Sequence, residues 1–101
     1  MKLVIYEVHL DVEPDLAGDL KDYMVRQHIP DVLATGCFIS ASFSQNAEHQ
    51  FRTSYVARDR ETLARYLAGH SNRLREEFVS RFPKGVSVDR KEWTLLAELN
   101  P

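Results

Sequence analysis

Glu7 and His9 are the residues whose types and spacing are best suited to chemistry. They are two positions apart in a segment that alternates like a β-strand, so both side chains leave the same face. A carboxylate beside an imidazole favours the charged ring and orients it for proton transfer. The pair therefore predicts a general acid/base. The alternative is a pair that neutralises itself at a dimer interface.

Two further histidines are candidates on predicted helices. His28 precedes Pro30 at the end of the first helix, where it could interact with the helix dipole and cap carbonyls, or act as a base or hydrogen-bond donor at the rim of a cleft. His70 lies on the apolar stripe of the second helix, as a half-buried ring bonded to the backbone or as a ligand contact. We take Glu7, His9 and His28 as the catalytic candidates.

Two aromatic residues complete the candidate set. Tyr55 and Trp93 line a cleft if their strands turn those faces outward, which depends on a strand register that the sequence leaves open. The ligand-binding candidates are therefore His70, Tyr55 and Trp93. Cys37 has no activating neighbour and is interpreted as a small buried hydrophobic residue.

Several classes of function find no support in the sequence. The four histidines have no HxH or HxxxH spacing, and no glycine-rich loop is present, so we predict no metal and no cofactor. A net charge of −2 and a pI near 6.1 give no general case for nucleic acid or anionic membranes. A third strand without the glycines of RNA-binding βαββαβ domains argues against RNA.

The single cysteine also bears on localisation. Cys37 cannot form an internal disulfide, which fits a reducing compartment. Only four apolar residues separate Lys2 from Glu7, so we expect no signal peptide, and no apolar run is long enough to span a membrane. We therefore expect a cytoplasmic protein.

The elements that must position these residues follow from periodicity and turn signals. Alternation predicts strands over 2–12, 37–44, 51–58 and 86–99. A helix starts at Glu13-Pro14-Asp15 and runs to about Gln27, where Pro30 interrupts it; 31–35 could form another helical turn capped by Gly36. A second helix starts after Asp59 and is kinked or split at 69–71.

This order, β-α-β-β-α-β, predicts a single ferredoxin-like domain over residues 1–101. Right-handed crossovers place two helices on one face of an antiparallel sheet with strand order 4-1-3-2. The other face carries Leu3, Ile5, Glu7 and His9, too apolar to be left in water. We expect a homodimer that packs sheet against sheet, with a small-molecule cleft between the sheets.

Four segments resemble a known family: YEVHLDVEPD, HIPDVLATGCF, TSYVAR and YLAGHSNRLREEFVSRF. The resemblance is to uncharacterised short bacterial proteins within the dimeric α/β-barrel superfamily, and it covers nearly the whole chain. It implies the ferredoxin-like fold, but not one function, because that superfamily supports many chemistries. His28 and His70 match the family pattern. His9 departs from it, because the pattern implies a small hydroxyl residue there.

Two hypotheses of function remain. The first is a small-molecule-binding or interaction protein whose sheet face holds a ligand or only its partner subunit. The second is a small cofactor-independent enzyme, isomerase-like or monooxygenase-like, acting on a compact apolar substrate by proton transfer. The first is favoured because the sequence contains no activated nucleophile.

Overall fold

One four-stranded antiparallel sheet organises the chain. The computed structural model describes residues 2–101 and contains strands β1 (Val4–Val12), β2 (Ser40–Ala47), β3 (Gln50–Ala57) and β4 (Val86–Thr94). Their order across the sheet is β2-β3-β1-β4, and every pair is antiparallel. These are the neighbours that the βαββαβ topology predicts, so the predicted strand order is confirmed.

The apolar face of β1 is the side that the helices cover. Val4, Tyr6, Leu10 and Val12 are buried, and they alternate with partly or fully exposed residues. In β3 the buried residues follow the same alternation, and Tyr55 lies directly opposite Tyr6 in the register. Alternate residues of a strand point to opposite faces, so these two central strands form the floor of the core.

The first helical region changes its winding along its length. A 3₁₀ turn (Pro14–Leu16) leads into α1 (Ala17–Tyr23), a π-helical segment (Met24–His28) and α2 (Ile29–Ala34). The expectation that Pro30 interrupts the helix after about Gln27 was wrong, because the backbone stays helical at every junction. Pro30 lies in the first turn of α2, where a missing N–H is tolerated.

The second helical region is split, as one of the two predicted alternatives required. It consists of α3 (Arg60–Gly69) and α4 (Ser71–Arg81), separated at His70, whose φ of −129° leaves the helical range. The predicted N-cap at Asp59 is present, since its carboxylate accepts a hydrogen bond from the Thr62 N–H at 2.8 Å. The helices are thus more numerous than the two expected.

Strand β4 is shorter than the predicted 86–99. It ends at Thr94, which pairs with Val4, the first residue of β1. Beyond that point one backbone hydrogen bond continues the pairing among residues 2–101, from the Leu95 N–H to the Leu3 carbonyl at 2.9 Å. Without a neighbouring strand to pair with, the following residues are irregular and exposed, and Leu99 is 90% accessible. Within 2–101 no helix is long and apolar enough to cross a bilayer.

Candidate functional site

The described part of the chain contains a cavity between the helices and the sheet, which we call the inner cavity. Its volume is about 180 Å³. The sheet contributes its floor, the π-helical segment one wall, and α4 with the turn that follows it the other wall. The lining residues are Tyr6, Val8, Leu10, Met24, His28, Tyr55, Tyr66, Leu74, Arg75, Phe78, Val79, Phe82, Pro83, Val86, Val88 and Arg90.

An aromatic cluster forms one end of the inner cavity. The Tyr6 ring lies 6.2 Å from that of Tyr55 and 6.1 Å from that of Tyr66, centroid to centroid. Phe38 closes the cluster, 4.8 Å from Tyr66 in an edge-to-face arrangement. Aromatic side chains with two rotatable bonds make a rigid apolar wall at low entropic cost.

The Tyr55 and Tyr66 phenols are protonated at neutral pH, and burial moves their pKa further from neutrality. It raises the pKa of Tyr66 to about 12, a shift that the nearby positive charges of Arg75 and Arg90 partly offset. Burial also raises the pKa of Tyr55 well above its ordinary value. The cavity therefore presents neutral hydroxyls that can donate a hydrogen bond.

Arg75 is a cationic group in contact with the aromatic wall. Its Nη2 donates a hydrogen bond to the Tyr6 hydroxyl oxygen at 3.2 Å. The side chain comes from α4, one residue after the buried Leu74, and is half-buried. Arg90 reaches the cavity from β4, where it lies opposite Val8. Two guanidinium groups thus border a mainly apolar cavity.

His28 is placed in the inner cavity by the π-helical segment. Its ring stacks on Tyr23 with a centroid distance of 6.0 Å, and it contacts Phe78 edge-on with a centroid distance of 5.5 Å. Burial lowers the pKa of His28, Asp31 opposes that shift, and the positive charge of Arg90 adds to it. The imidazole is therefore neutral at pH 7 and can accept a proton from a bound molecule.

The opposite side of the sheet, which we call the open face, carries four cross-strand rows. From β2 to β4 the rows are Ser40, Val56, Ile5 and Trp93; Ser42, Ser54, Glu7 and Lys91; Ser44, Arg52, His9 and Asp89; and Gln50, Asp11 and Ser87. The first row is largely apolar, and Trp93 is 49% accessible. A wide depression of about 610 Å³ lies at the polar end of this face.

Glu7 and His9 form the contact that the sequence predicted, on the open face. His9 Nε2 lies 2.7 Å from Glu7 Oε1, and the Ser54 hydroxyl donates to Glu7 Oε2 at 3.4 Å. Burial alone would raise the pKa of Glu7, but the hydrogen bond and charge of His9, with smaller contributions from Arg52 and Ser54, lower it below its ordinary value. Glu7 is therefore an ionised, partnered carboxylate at neutral pH.

The structure divides the predicted site residues between the two faces. Glu7, His9 and Trp93 lie on the open face, whereas His28 and Tyr55 line the inner cavity. The sheet separates the two groups, so His28 does not converge with Glu7 and His9. His70 lies at the α3–α4 junction with its ring stacked 6.3 Å from Tyr66, behind the aromatic wall.

Two cavity groups were missed by sequence reasoning, Arg75 and the Tyr6 hydroxyl. Arg75 is one of several arginines on a helix that carries many charges, so its type gives no signal. A usable signal was its position next to Leu74 on the apolar stripe, which directs a long side chain along the helix edge towards the sheet. The Tyr6 ring lies in the core, so the residue type gives no sign that its hydroxyl reaches the cavity.

Residues 3–96 match the family model of a domain of unknown function, DUF4286. The chain belongs to the DUF4286 family. This agrees with the resemblance to uncharacterised proteins that the four sequence segments indicated. No curated protein matches this DUF4286 sequence significantly.

Several solved structures have the same fold as this DUF4286 chain. A protein of unknown function from Nitrosomonas europaea superposes with a TM-score of 0.78 at 16% identity, covering 100% of this chain and 96% of that one. A variant of SnoaB, a cofactor-independent oxygenase from Streptomyces nogalater, gives 0.79 at 11%, with full coverage of both chains. A dimeric ferredoxin-like protein from an uncultured marine organism gives 0.65 at 11%, covering 98% and 100%. At these identities the likeness establishes the ferredoxin-like fold.

Proposed function

We propose that this protein is a homodimeric small-molecule-binding protein that holds a compact, largely apolar ligand in the inner cavity. The observation that carries the proposal is the composition of that cavity. Aromatic and aliphatic walls come from both layers of the fold, and the Arg75–Tyr6 pair and His28 supply a few convergent polar atoms. Sites for small molecules combine these two properties.

The size of the cavity defines the class of ligand. At about 180 Å³ it is smaller than the roughly 300–1,000 Å³ typical of pockets for drug-sized ligands. A single ring with a short substituent fits this volume better than a fused polycyclic molecule. The cytoplasmic location predicted from the lone Cys37 is part of the same proposal.

Nuclear magnetic resonance titration with phenylacetate and phenylacetamide tests binding in the cavity. Val79 lines the mouth and is 57% accessible, so Val79→Trp obstructs entry without altering the core. We expect amide shifts at the cavity residues in the wild type and none in this variant. Val25 is equally accessible and lies outside the cavity, so Val25→Trp is the matched control and should behave as wild type. Binding that survives Val79→Trp unchanged would contradict the proposed site.

A second copy of the chain is the partner we propose for the open face. The row of Val56, Ile5 and Trp93 supplies apolar area, and the next rows carry charges of both signs, including Glu7 with Lys91 and Arg52 with Asp89. A two-fold axis brings the same patch together from both subunits, so a face with mixed charges can complement itself. The neighbour described as dimeric and ferredoxin-like supports this assembly. In such a dimer the Glu7–His9 pair lies in the interface.

Light scattering after size exclusion tests the dimer. Val56→Arg places a charge in the apolar row, and we expect it to give a monomer at concentrations where the wild type is a dimer. Val25→Arg, on the exposed side of the helical layer, should leave the dimer intact. A wild-type monomer at about 100 μM, a concentration at which a micromolar interface is mostly assembled, would contradict the assembly.

The enzyme hypothesis has one specific observation in its favour. His28 contacts the inner cavity as a neutral imidazole, so it could abstract a proton from a bound substrate without a cofactor. SnoaB, described as a cofactor-independent oxygenase, has the same fold. His28→Gln should then abolish turnover of a bound substrate while binding persists. Glu7→Gln and His9→Asn change the open face. If either variant lost turnover while remaining a dimer, the reaction would take place on the open face and not in the inner cavity.

A further inference from the structure

Two guanidinium groups border the inner cavity without an acidic partner. Among residues 2–101, the ion pairs within 4.0 Å include neither Arg75 nor Arg90. Arg75 is only partly exposed and is oriented by its hydrogen bond to the Tyr6 hydroxyl oxygen. A partly buried guanidinium loses hydration, so leaving it without a carboxylate costs free energy that a bound anion can recover.

Two acidic side chains on the adjoining elements pair with arginines that do not line the cavity. Glu92, which follows Arg90 on the same face of β4, pairs with Arg60 at 3.3 Å. Glu77 on α4 pairs with Arg73 at 3.8 Å. Asp31 acts on His28 but does not line the cavity. The inner cavity is therefore lined by cationic and neutral groups.

We propose that the inner cavity recognises a compact apolar carboxylic acid as its anion, with the carboxylate between Arg75, Arg90 and the Tyr6 hydroxyl and the apolar body against the aromatic wall. This inference rests on the proposed binding function of the cavity. A guanidinium presents parallel N–H donors that match the two oxygens of a carboxylate. The Tyr6 hydroxyl oxygen already accepts from Arg75, so its own proton is available for the bound anion.

Calorimetric titration with a charged and a neutral probe of the same shape separates charge recognition from apolar fit. We compare phenylacetate with phenylacetamide, and the one-carbon and two-carbon longer acids with their amides. We expect the acid to bind at least about tenfold more tightly than its amide, as for a charge-assisted pair. Arg75→Met keeps the apolar stem, and we expect it to weaken acid binding about tenfold and amide binding much less, because the amide loses only a neutral hydrogen bond.

The matched control is the same substitution at another arginine of α4. Arg73→Met changes an exposed arginine on α4 that pairs with Glu77, and it should leave both affinities at wild-type values. Arg90→Met repeats the test from β4 in case Arg75→Met does not fold. Equal affinity for acid and amide in the wild type would overturn the anionic ligand and leave the cavity function standing. Failure of every acid and every amide to bind would overturn the binding function itself, and this inference with it.

Discussion

The His28 imidazole meets the Phe78 ring edge-on at 5.5 Å, so a titratable side chain from the first helical region packs against the apolar stripe of α4. The contact joins the two helical regions across the inner cavity. Since the histidine occupies a largely apolar site, its charge state affects both the packing of the layer and the polarity of the cavity.

The first prediction concerns the pH dependence of stability through His28. Burial lowers its pKa in the folded protein below the ordinary 6.5, so the unfolded chain binds the proton more readily. The stabilising contribution of the neutral ring is present above pH 6.5 and is lost as the pH falls through the folded-state pKa. We expect the free energy of unfolding to fall between pH 7.5 and 5.5, and His28→Gln to reduce that slope. Urea denaturation at several pH values measures this free energy and its slope with pH.

His49→Gln is the control for this measurement. His49 lies at the β2–β3 turn with its side chain 40% accessible and contacts Asp11 at 3.2 Å. The control should keep the wild-type slope. An unchanged slope in His28→Gln would mean that the proton is taken up elsewhere.

The second prediction concerns the hydroxyl of Thr53. This side chain is fully buried, and among residues 2–101 its oxygen has no hydrogen-bond partner in good geometry. Thr53→Val exchanges an unpaired polar atom for a methyl group of similar size, so we expect stability to rise by about 1 kcal/mol. Thr62→Val is the same substitution at a buried hydroxyl that donates to Asp59 at 2.7 Å, and it should lower stability by about 1 kcal/mol. Chemical denaturation of both variants measures the two changes in the free energy of unfolding. Changes of the same sign would contradict the prediction.

The third prediction concerns the loss of stability at acidic pH. The pKa of Glu7 is lowered in the folded protein, so its stabilising contribution is present above the ordinary value of 4.5 and is lost as the pH falls below it. We expect Glu7→Gln to flatten the loss of stability between pH 5 and pH 3. Glu98→Gln, at an exposed position beyond β4, should not change it. Thermal melts across this pH range distinguish the two variants.

The fourth prediction compares two glycines with positive φ. Gly36 and Gly85 have φ of +77° and +84°. A Cβ at Gly36 meets open space, so Gly36→Ala carries only the left-handed backbone penalty of about 1–2 kcal/mol. A Cβ at Gly85 would lie 2.7 Å from Leu16 Cδ1, so Gly85→Ala must also displace that side chain. We expect the larger loss of melting temperature for Gly85→Ala; similar losses would show that Leu16 moves freely.

The topology was predictable because it depends on patterns that extend over many residues. β1 has an uninterrupted apolar face from Val4 to Val12, which can only meet a core. The order of strands and helices, together with the handedness of crossovers, then leaves few arrangements of the sheet. Asp59 and Gly36 marked a helix start and a helix end through local chemistry that needs no tertiary information.

The division of the site residues between two faces was not predictable from the sequence. A shift of one residue in strand register moves every side chain to the other face, and the pairing that decides it is non-local. Tyr55 pairs with Tyr6 beneath the helices, whereas Trp93 pairs with Ile5 on the open face. β3 does alternate between an apolar and a polar face, but β4 carries charged side chains on both faces, so composition alone does not orient Trp93.

The helix that carries His28 was mispredicted for a different reason. The usual rule takes proline as the end of a helix, because its ring clashes with the carbonyl four residues earlier. Here the five residues before Ile29 adopt the wider π winding, in which the hydrogen bonds span five residues instead of four. The sequence MVRQHIP contains no feature that distinguishes this solution from a chain break.

The shape of the inner cavity depends on the number of residues in the π-helical segment. A π turn takes up about one residue more than the 3.6 residues of an α-helical turn, so removing one residue between Met24 and His28 would restore regular winding and leave α1 and α2 in nearly the same relative orientation. Only the side chains within the shortened turn would change direction, while the flanking helices, the sheet and its register stayed the same. A deletion or insertion of one codon could thus exchange the groups that face a bound molecule, a step in evolution that substitutions at the lining positions could not make as directly.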